Sequence, residues 1–183
     1  MTDDHSLVDK ILAGDQQAFR WLIKRYETLI GHVVGRIIKG DEEREEVCQD
    51  VFLKIHDKLS TFRKEAKLST WMVTIAYRMS LNYLEKNKME TVSLSAIGDL
   101  PMEQAQLSPL EQEDLKNTLE VAILKLPLSY RVVITLFHLE ENTYEEVCAI
   151  TGMALGTVKS NLFRGRKLLK EIVEKNKEIS SYE

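Results

Sequence analysis

Apolar residues recur at intervals of three and four along most of the chain, and the places where that rhythm stops divide it. Leu7, Val8, Ile11 and Leu12 begin the pattern within Ser6 to Leu12, and between Gln16 and Ile38 it continues through Phe19, Leu22, Ile23, Tyr26, Leu29, Ile30, Val33, Val34 and Ile37. That is the period of a helix with one buried face. The stretch KGDEEREE supplies a turn and then a run of carboxylates, which suits the partial positive charge of a helix N-terminus. Val47, Cys48, Val51, Phe52, Ile55 and Leu59 carry the period on. A polar loop, STFRKEAK, precedes a third strong repeat at Trp71, Val73, Ile75, Ala76, Met79, Leu81 and Leu84. Residues 1–89 therefore read as a helical bundle.

The rhythm fails in TVSLSAIGDLPMEQAQLSPLEQED, where Gly98, Pro101, Pro109 and several serines mark a linker over residues 90–110. Helix returns from about Leu110 to Leu126, stops at Pro127, runs again from Tyr130 to Leu139 and ends in EEN. No alternating β-branched run is long enough to demand a sheet. The expected fold is all-α: a helical bundle over 1–89 and a second small helical domain over 111–175, joined by a flexible acidic linker, with 176–183 as a C-terminal tail.

Charge sharpens this division. The 183 residues carry a net charge of -4, so bulk basicity does not announce nucleic acid, and a phosphate-binding surface has to be local. Residues 1–90 hold 15 Lys and Arg against 15 Asp and Glu, residues 91–120 hold 1 against 6, and residues 121–183 hold 9 against 8. The acidic excess thus sits in the middle of the chain, over residues 91–120. No apolar run approaches the roughly 18 residues of a membrane span, and the polar start MTDDHSLVDK is unlike a signal peptide, so no membrane insertion and a cytoplasmic location are expected. Cys48 and Cys148 lie far apart inside apolar helical patterns and read as buried structural thiols. The four histidines are scattered singly, without the ligand spacing zinc needs, so no metal and no cofactor are expected. With no glycine-rich phosphate loop and no nucleophile beside a placed base, the chain does not read as an enzyme.

The stretch TYEEVCAITGMALGTVKSNLFRGRKLLK places Lys159, Arg164, Arg166, Lys167 and Lys170 together with no acid after Glu146. Taken alone, such a run is most simply a solvated helix face. Its surroundings say more. Thr143 followed by Glu146 is a capping box that fixes where a short helix begins. Thr151-Gly152 offers a left-handed C-cap, and a second helix starts two to three residues later. Cys148 supplies a small residue at the crossing, and Val158 and Leu162 an inward pair at i and i+4. Helix-turn-helix follows from this spacing. The opposite arc then holds Thr157, Lys159, Ser160, Asn161, Arg164 and Lys167, short polar groups and cations of the kind that reach base edges and phosphates.

The segment LPLSYRVVITLFHLEENTYEEVCAITGMALGTVKSNLFRGRKLL resembles the fourth region of bacterial sigma factors of the extracytoplasmic-function group. AFRWLIKRYETLI and EVCQDVFLKIHDKLSTFRKEAKLSTWMVTIAYRMSLNYL resemble their second region, so the likeness spans nearly the whole chain. The resemblance implies a subunit that joins core RNA polymerase, recognises promoter DNA and opens it, commonly under the control of an anti-sigma factor. By position it implies polymerase docking at Glu46, Gln49, Asp50 and Phe52, and strand opening at the loop Thr61–Lys67, including Arg63 and Lys64, with Trp71. It further implies minus-ten contacts from Arg78, Asn82, Lys86 and Lys88, and minus-thirty-five contacts from the second helix of the helix-turn-helix. Departures from the family pattern are LEKNK in place of an arginine cluster, Asn161 for a usual Arg or His, and Ala154 where a hydroxyl or proline is common. A further one is Gly165 for a usual Ala, which costs roughly 1 kcal/mol of helix propensity.

Two other readings stay open on the residues. One is a conventional helix-turn-helix transcriptional regulator whose N-terminal bundle dimerises or senses a signal. The other is a helical scaffold that sequesters a partner and does not bind DNA. The pairing of QDVFLK with STWM in the first domain favours the sigma factor over the conventional regulator.

Overall fold

The computed structural model of the chain describes residues 3–92 and 114–180, and the side chains of residues 3–87 and 118–175. Nearly all of the expected linker, the last part of the expected tail and the side chain of Lys88 lie outside these. Among the described residues the chain forms eight α-helices and no strand.

The first four helices make one layer group. α1 (Asp4–Leu12) turns back onto α2 (Gln16–Gly35) through Gly14, whose φ of 93° is open to glycine but strained for other residues. Asp15 then caps α2, its carboxylate accepting from the amides of Gln17 at 2.9 Å and Ala18 at 3.1 Å. α3 (Asp41–Lys58) opens on Asp41, Glu42 and Glu43, as the dipole favours. A single 3-10 turn (Leu59–Thr61) and the polar loop lead into α4 (Leu68–Val92). Leu22, Ile30, Val34, Val51, Ile55, Met72 and Ala76 fill the centre of this bundle. Ser80 is fully buried, and its hydroxyl is satisfied by donating to the Ala76 carbonyl at 2.8 Å.

Of the remaining helices only the last is long. α5 (Asp114–Leu124) ends before Pro127, and α6 (Leu128–Ile134) starts just after it, where a proline ring is compatible with the first turn. α6 widens into a π-helical turn (Thr135–Leu139), closed by the Glu140 amide bonding back to the Thr135 carbonyl at 3.1 Å. α7 (Tyr144–Thr151) and α8 (Leu155–Ser180) follow. The long helices α4 and α8 run past the boundaries expected at residues 89 and 175.

The two halves touch, which the sequence did not predict. α7 packs on α4, and the buried side chains of both halves form one continuous cluster. At a second seam the Arg131 guanidinium donates to the Leu126 carbonyl at 3.0 Å and to the Arg36 carbonyl at 3.0 Å. One cation thereby joins the chain just past α5 to the C-cap of α2, in a position the negative ends of helix dipoles favour.

Candidate nucleic-acid interface

The helix-turn-helix is built locally, from its caps inward. The Thr143 hydroxyl accepts from the Glu146 amide at 3.2 Å, and the Glu146 carboxylate accepts from the Thr143 amide at 2.8 Å, so the capping box closes in both directions. Gly152 ends α7 at φ 74°, and its amide bonds back to the Cys148 carbonyl at 2.8 Å. Val158 and Leu162 face inward at 0% and 1% exposure. Gly165 is buried as well: a Cβ there would stand 3.1 Å from Ile134 Cγ1 and 3.2 Å from Tyr130 Cβ. α6 therefore approaches α8 closely enough that the residue read as a propensity loss has a packing reason.

The outer side of α8 is open. Thr157, Lys159, Ser160, Arg164 and Lys167 are exposed. Lys159 holds its ammonium 5.6 Å from the centre of the Tyr144 ring, which orients it toward the start of α7. Asn161 differs from the expected outward arc. It is half-buried and turns its amide nitrogen to Met153 Sδ at 3.6 Å, because its place on the helix borders the inward stripe of Val158 and Leu162. Phe163 was not singled out from the sequence, where an apolar residue in this helix reads as core. It is 72% exposed, and the spacing Gly156, Ser160, Phe163, Lys167 puts it in the middle of the outer face.

In the first half, Arg78, Asn82 and Lys86 are exposed along one side of α4 at i, i+4 and i+8. Arg63 and Lys64 are exposed in the preceding loop; Lys64, at φ 60°, pairs with Asp9 at 2.6 Å. Trp71 is half-buried with its ring 5.5 Å from that of Phe62, so here it packs against the bundle instead of standing free in solvent. The cysteines expected to be buried are both half-buried. Burial pushes the Cys48 thiol up, and nearby Arg44 offsets part of that.

On α3, Glu46, Gln49 and Asp50 are exposed and Phe52 is half-buried. The same face carries Leu53, at 64% exposure. Its spacing of seven, four and three from the other three could have marked it, had it not looked like one more core leucine beside Phe52. Between α5, the π-helical turn and α8 lies an apolar groove of about 440 Å³, lined by Leu119, Ile123, Ile134, Leu169 and Val173. On its rim the Arg166 guanidinium donates to His138 Nε2 at 2.9 Å. Burial and the adjacent Arg166 charge hold the His138 imidazole below its usual range.

Known proteins resemble the chain over both of its halves. Residues 22–89 match the model of sigma-70 region 2, and residues 116–169 that of sigma-70 region 4. The chain is 29% identical over 181 residues to the ECF RNA polymerase sigma-E factor of Escherichia coli strain K12, covering 93% of this chain and 94% of that protein. It is 28% identical over 177 residues to the ECF RNA polymerase sigma factor SigW of Bacillus subtilis strain 168, covering 90% and 93%. A chain in the co-crystal structure of sigma factor RpoE with the anti-sigma factor NepR from Bartonella quintana superposes with a TM-score of 0.67 at 23% identity, covering 85% of this chain and 96% of that one. One in the complex of CnrH with the cytosolic domain of CnrY gives 0.65 at 18% identity, covering 93% and 97%. These two structures are alike in fold.

Proposed function

The chain belongs to the sigma-70 family, in its extracytoplasmic-function group, and from that premise we propose how its surfaces divide the work of promoter-directed transcription initiation. The outer face of α8 reads the minus-thirty-five element. Thr157, Lys159 and Ser160, in the first turns of the helix, approach base edges, Phe163 offers an apolar contact of the kind a thymine methyl accepts, and Arg164 and Lys167 hold phosphates. Asn161 contributes from the margin of that face. The loop with Arg63 and Lys64, Trp71, and the row Arg78, Asn82 and Lys86 take the minus-ten element, where polar and aromatic groups suit unstacked bases. Glu46, Gln49 and Asp50, with Leu53 among them and Phe52 beside them, dock on core RNA polymerase. In this division residues 1–89 and 111–175 are the working domains and 90–110 the linker between them.

Nucleotide chemistry belongs to the polymerase, and the chain acts from the cytoplasm as a specificity subunit. An anti-sigma factor is a further partner, on the strength of the complexes in which the structural relatives were captured. The observation that carries the reading is the contrast on one helix between a dry inner pair, Val158 and Leu162, and an outer face rich in cations and hydroxyls. Transcription in vitro with core polymerase and a promoter library tests it. Promoter-selective transcripts that require this chain are expected; a chain that binds DNA but gives no polymerase-dependent transcript would favour the conventional regulator.

A further inference from the structure

Between the first two helices lies a cavity that none of the surfaces above uses. It has a volume of about 670 Å³ and is lined by Leu7 and Lys10 of α1 and by Gln17, Ala18, Trp21 and Lys24 of α2. Gln17, Trp21 and Lys24 recur at i, i+4 and i+7 and so share one face of α2. Leu7 and Ala18 form an apolar floor at 5% and 4% exposure, while the Trp21 indole stands 60% exposed. Trp71 packs its ring on that of Phe62, but Trp21 has no ring partner among the described residues.

The polar groups of the cavity do not satisfy one another. Lys10 and Lys24 are exposed, and neither forms an ion pair among the described residues. Arg25, on the same rim, is already held by Asp4 at 3.0 Å. Asp15 is the one carboxylate in the lining, and its Oδ1 accepts both capping amides, from Gln17 at 2.9 Å and from Ala18 at 3.1 Å. Its Oδ2 and the exposed Gln17 side-chain amide remain available as hydrogen-bonding groups. A free aromatic face, two free cations and this polar pair thus meet in a concavity of the size that small ligands fill. That set matches a nucleotide: the indole offers a stacking platform for the base, the ammonium groups take phosphate oxygens, and Asp15 with Gln17 meets sugar hydroxyls or a base edge.

The cavity is not an extension of the DNA surface. The loop Thr61–Lys67 meets α1 on another flank, where Lys64 pairs with Asp9 at 2.6 Å and the Phe62 ring lies 6.5 Å from that of His5. Asp9 and Lys10 point about 100° apart around the helix. α1 and its N-cap carry Asp3, Asp4 and Asp9 against the single cation Lys10, so no continuous positive track of the kind a strand follows joins loop and cavity. A compact ligand fits this confined charge better than a strand does.

We propose that the cavity between α1 and α2 binds a purine nucleotide carrying two or more phosphates, with its base stacked on Trp21 and its phosphates on Lys10 and Lys24. A purine covers more of the indole than a pyrimidine does, and two unpaired ammonium groups suit more than one phosphate. No residue of the cavity belongs to the polymerase or promoter surfaces described above, and nucleotide chemistry belongs to the polymerase. The nucleotide is therefore a bound signal and not a substrate.

Calorimetric titration of the full chain with GDP, ADP, inorganic pyrophosphate and guanosine tests this site. At least one of the two diphosphates is expected to saturate it with a Kd below about 1 mM. Pyrophosphate and guanosine should each bind at least about tenfold more weakly, because each lacks one half of the contacts. Trp21→Ala should weaken the nucleotide about tenfold and leave pyrophosphate unchanged, and Trp21→Phe should recover most of that loss. Lys10→Glu with Lys24→Glu should weaken nucleotide and pyrophosphate alike, whereas Lys10→Arg with Lys24→Arg should keep both. Failure of both diphosphates to saturate below about 1 mM, or saturation that no variant weakens, would overturn the site. A loss in the Lys→Glu pair without one in Trp21→Ala would reduce it to an anion patch and overturn the nucleotide assignment. Displacement of bound nucleotide by an equal concentration of a single-stranded oligodeoxynucleotide would also overturn it, in favour of a second strand-binding surface.

Discussion

Two helices in this molecule face nucleic acid on the proposed reading, and they are prepared for it in different ways. α8 presents its outer face to solvent along the turns that matter, and every device that aims it lies within about twenty residues: a capping box, a left-handed glycine and an inward pair. α4 begins under α7, with Thr70 buried and Lys67 already paired to Glu146. One reading surface is set by its own sequence neighbourhood and stands ready. The other depends on what the distant half of the chain is doing. The second helix is therefore the natural place for control, and the first the natural place for specificity.

The largest test of this contrast removes the support of α8. Leu162 is 1% exposed in the wall between α8 and the rest of its half. Leu162→Ala should cost about 2 to 5 kcal/mol by loss of transfer energy and the cavity left behind, read as a lowered midpoint in denaturant. Duplex binding by α8 should be lost with it. Hydrogen exchange in α1 to α3 should stay close to the parent, because their core residues pack locally around Leu22 and Val51. Equal deprotection there would show that the two halves fold as one unit and that α8 is no more autonomous than α4.

A smaller effect separates the two kinds of contact within α8. Phe163→Ala should lower affinity by about 1 to 3 kcal/mol on promoters with a thymine opposite the ring and leave others nearly unchanged. Arg164→Ala should weaken all promoters alike and reduce the salt slope by about one. If Phe163→Ala also acts uniformly, the ring is a solvent-facing bystander and the specificity of this helix resides in its first turns alone.

The difference between the helices also explains what could be read from the sequence. The helix-turn-helix was legible because Thr143, Glu146, Gly152, Val158 and Leu162 act through spacings of three to nine residues, which a linear pattern preserves. The packing of α7 on α4 was not, since the Lys67–Glu146 and Arg36–Arg131 contacts join residues 79 and 95 positions apart. Phe163 and Leu53 escaped for a different reason. An apolar residue in an amphipathic helix is read as core by type, and only its place on the wheel relative to the buried stripe shows that it points outward. The reverse holds for Asn161, whose polar type suggested the outer face while its position borders the inner one.

A modest pH effect should appear in the second half of the chain. His138 accepts a hydrogen bond from Arg166 in its neutral form, and burial and that cation depress its pKa. A depressed folded-state value means the associated stability is complete above the ordinary histidine pKa and is lost as pH falls through the folded one. Unfolding midpoints measured between pH 7 and pH 5 should therefore fall more steeply in the parent than in His138→Gln. Parallel slopes would remove this pair from the account.

The smallest expected effect concerns Gly165, where two terms of similar size oppose each other. Replacing glycine by alanine inside a helix gains about 1 kcal/mol of backbone propensity. The new Cβ, however, would lie 3.1 Å from Ile134 Cγ1 and 3.2 Å from Tyr130 Cβ, closer than such carbons normally approach. Tyr130 Cβ is fixed to the α6 backbone, so relief requires α6 to shift by a few tenths of an ångström, and overpacking of this kind typically costs about 1 to 3 kcal/mol. Gly165→Ala should thus be destabilising by no more than about 2 kcal/mol and could come close to neutral, the residual of these two terms. Its direction carries the information. Chemical denaturation that shows a gain near the full propensity value would mean α6 yields freely, and that the seating of α8, unlike that of α4, does not depend on a close approach by its neighbour.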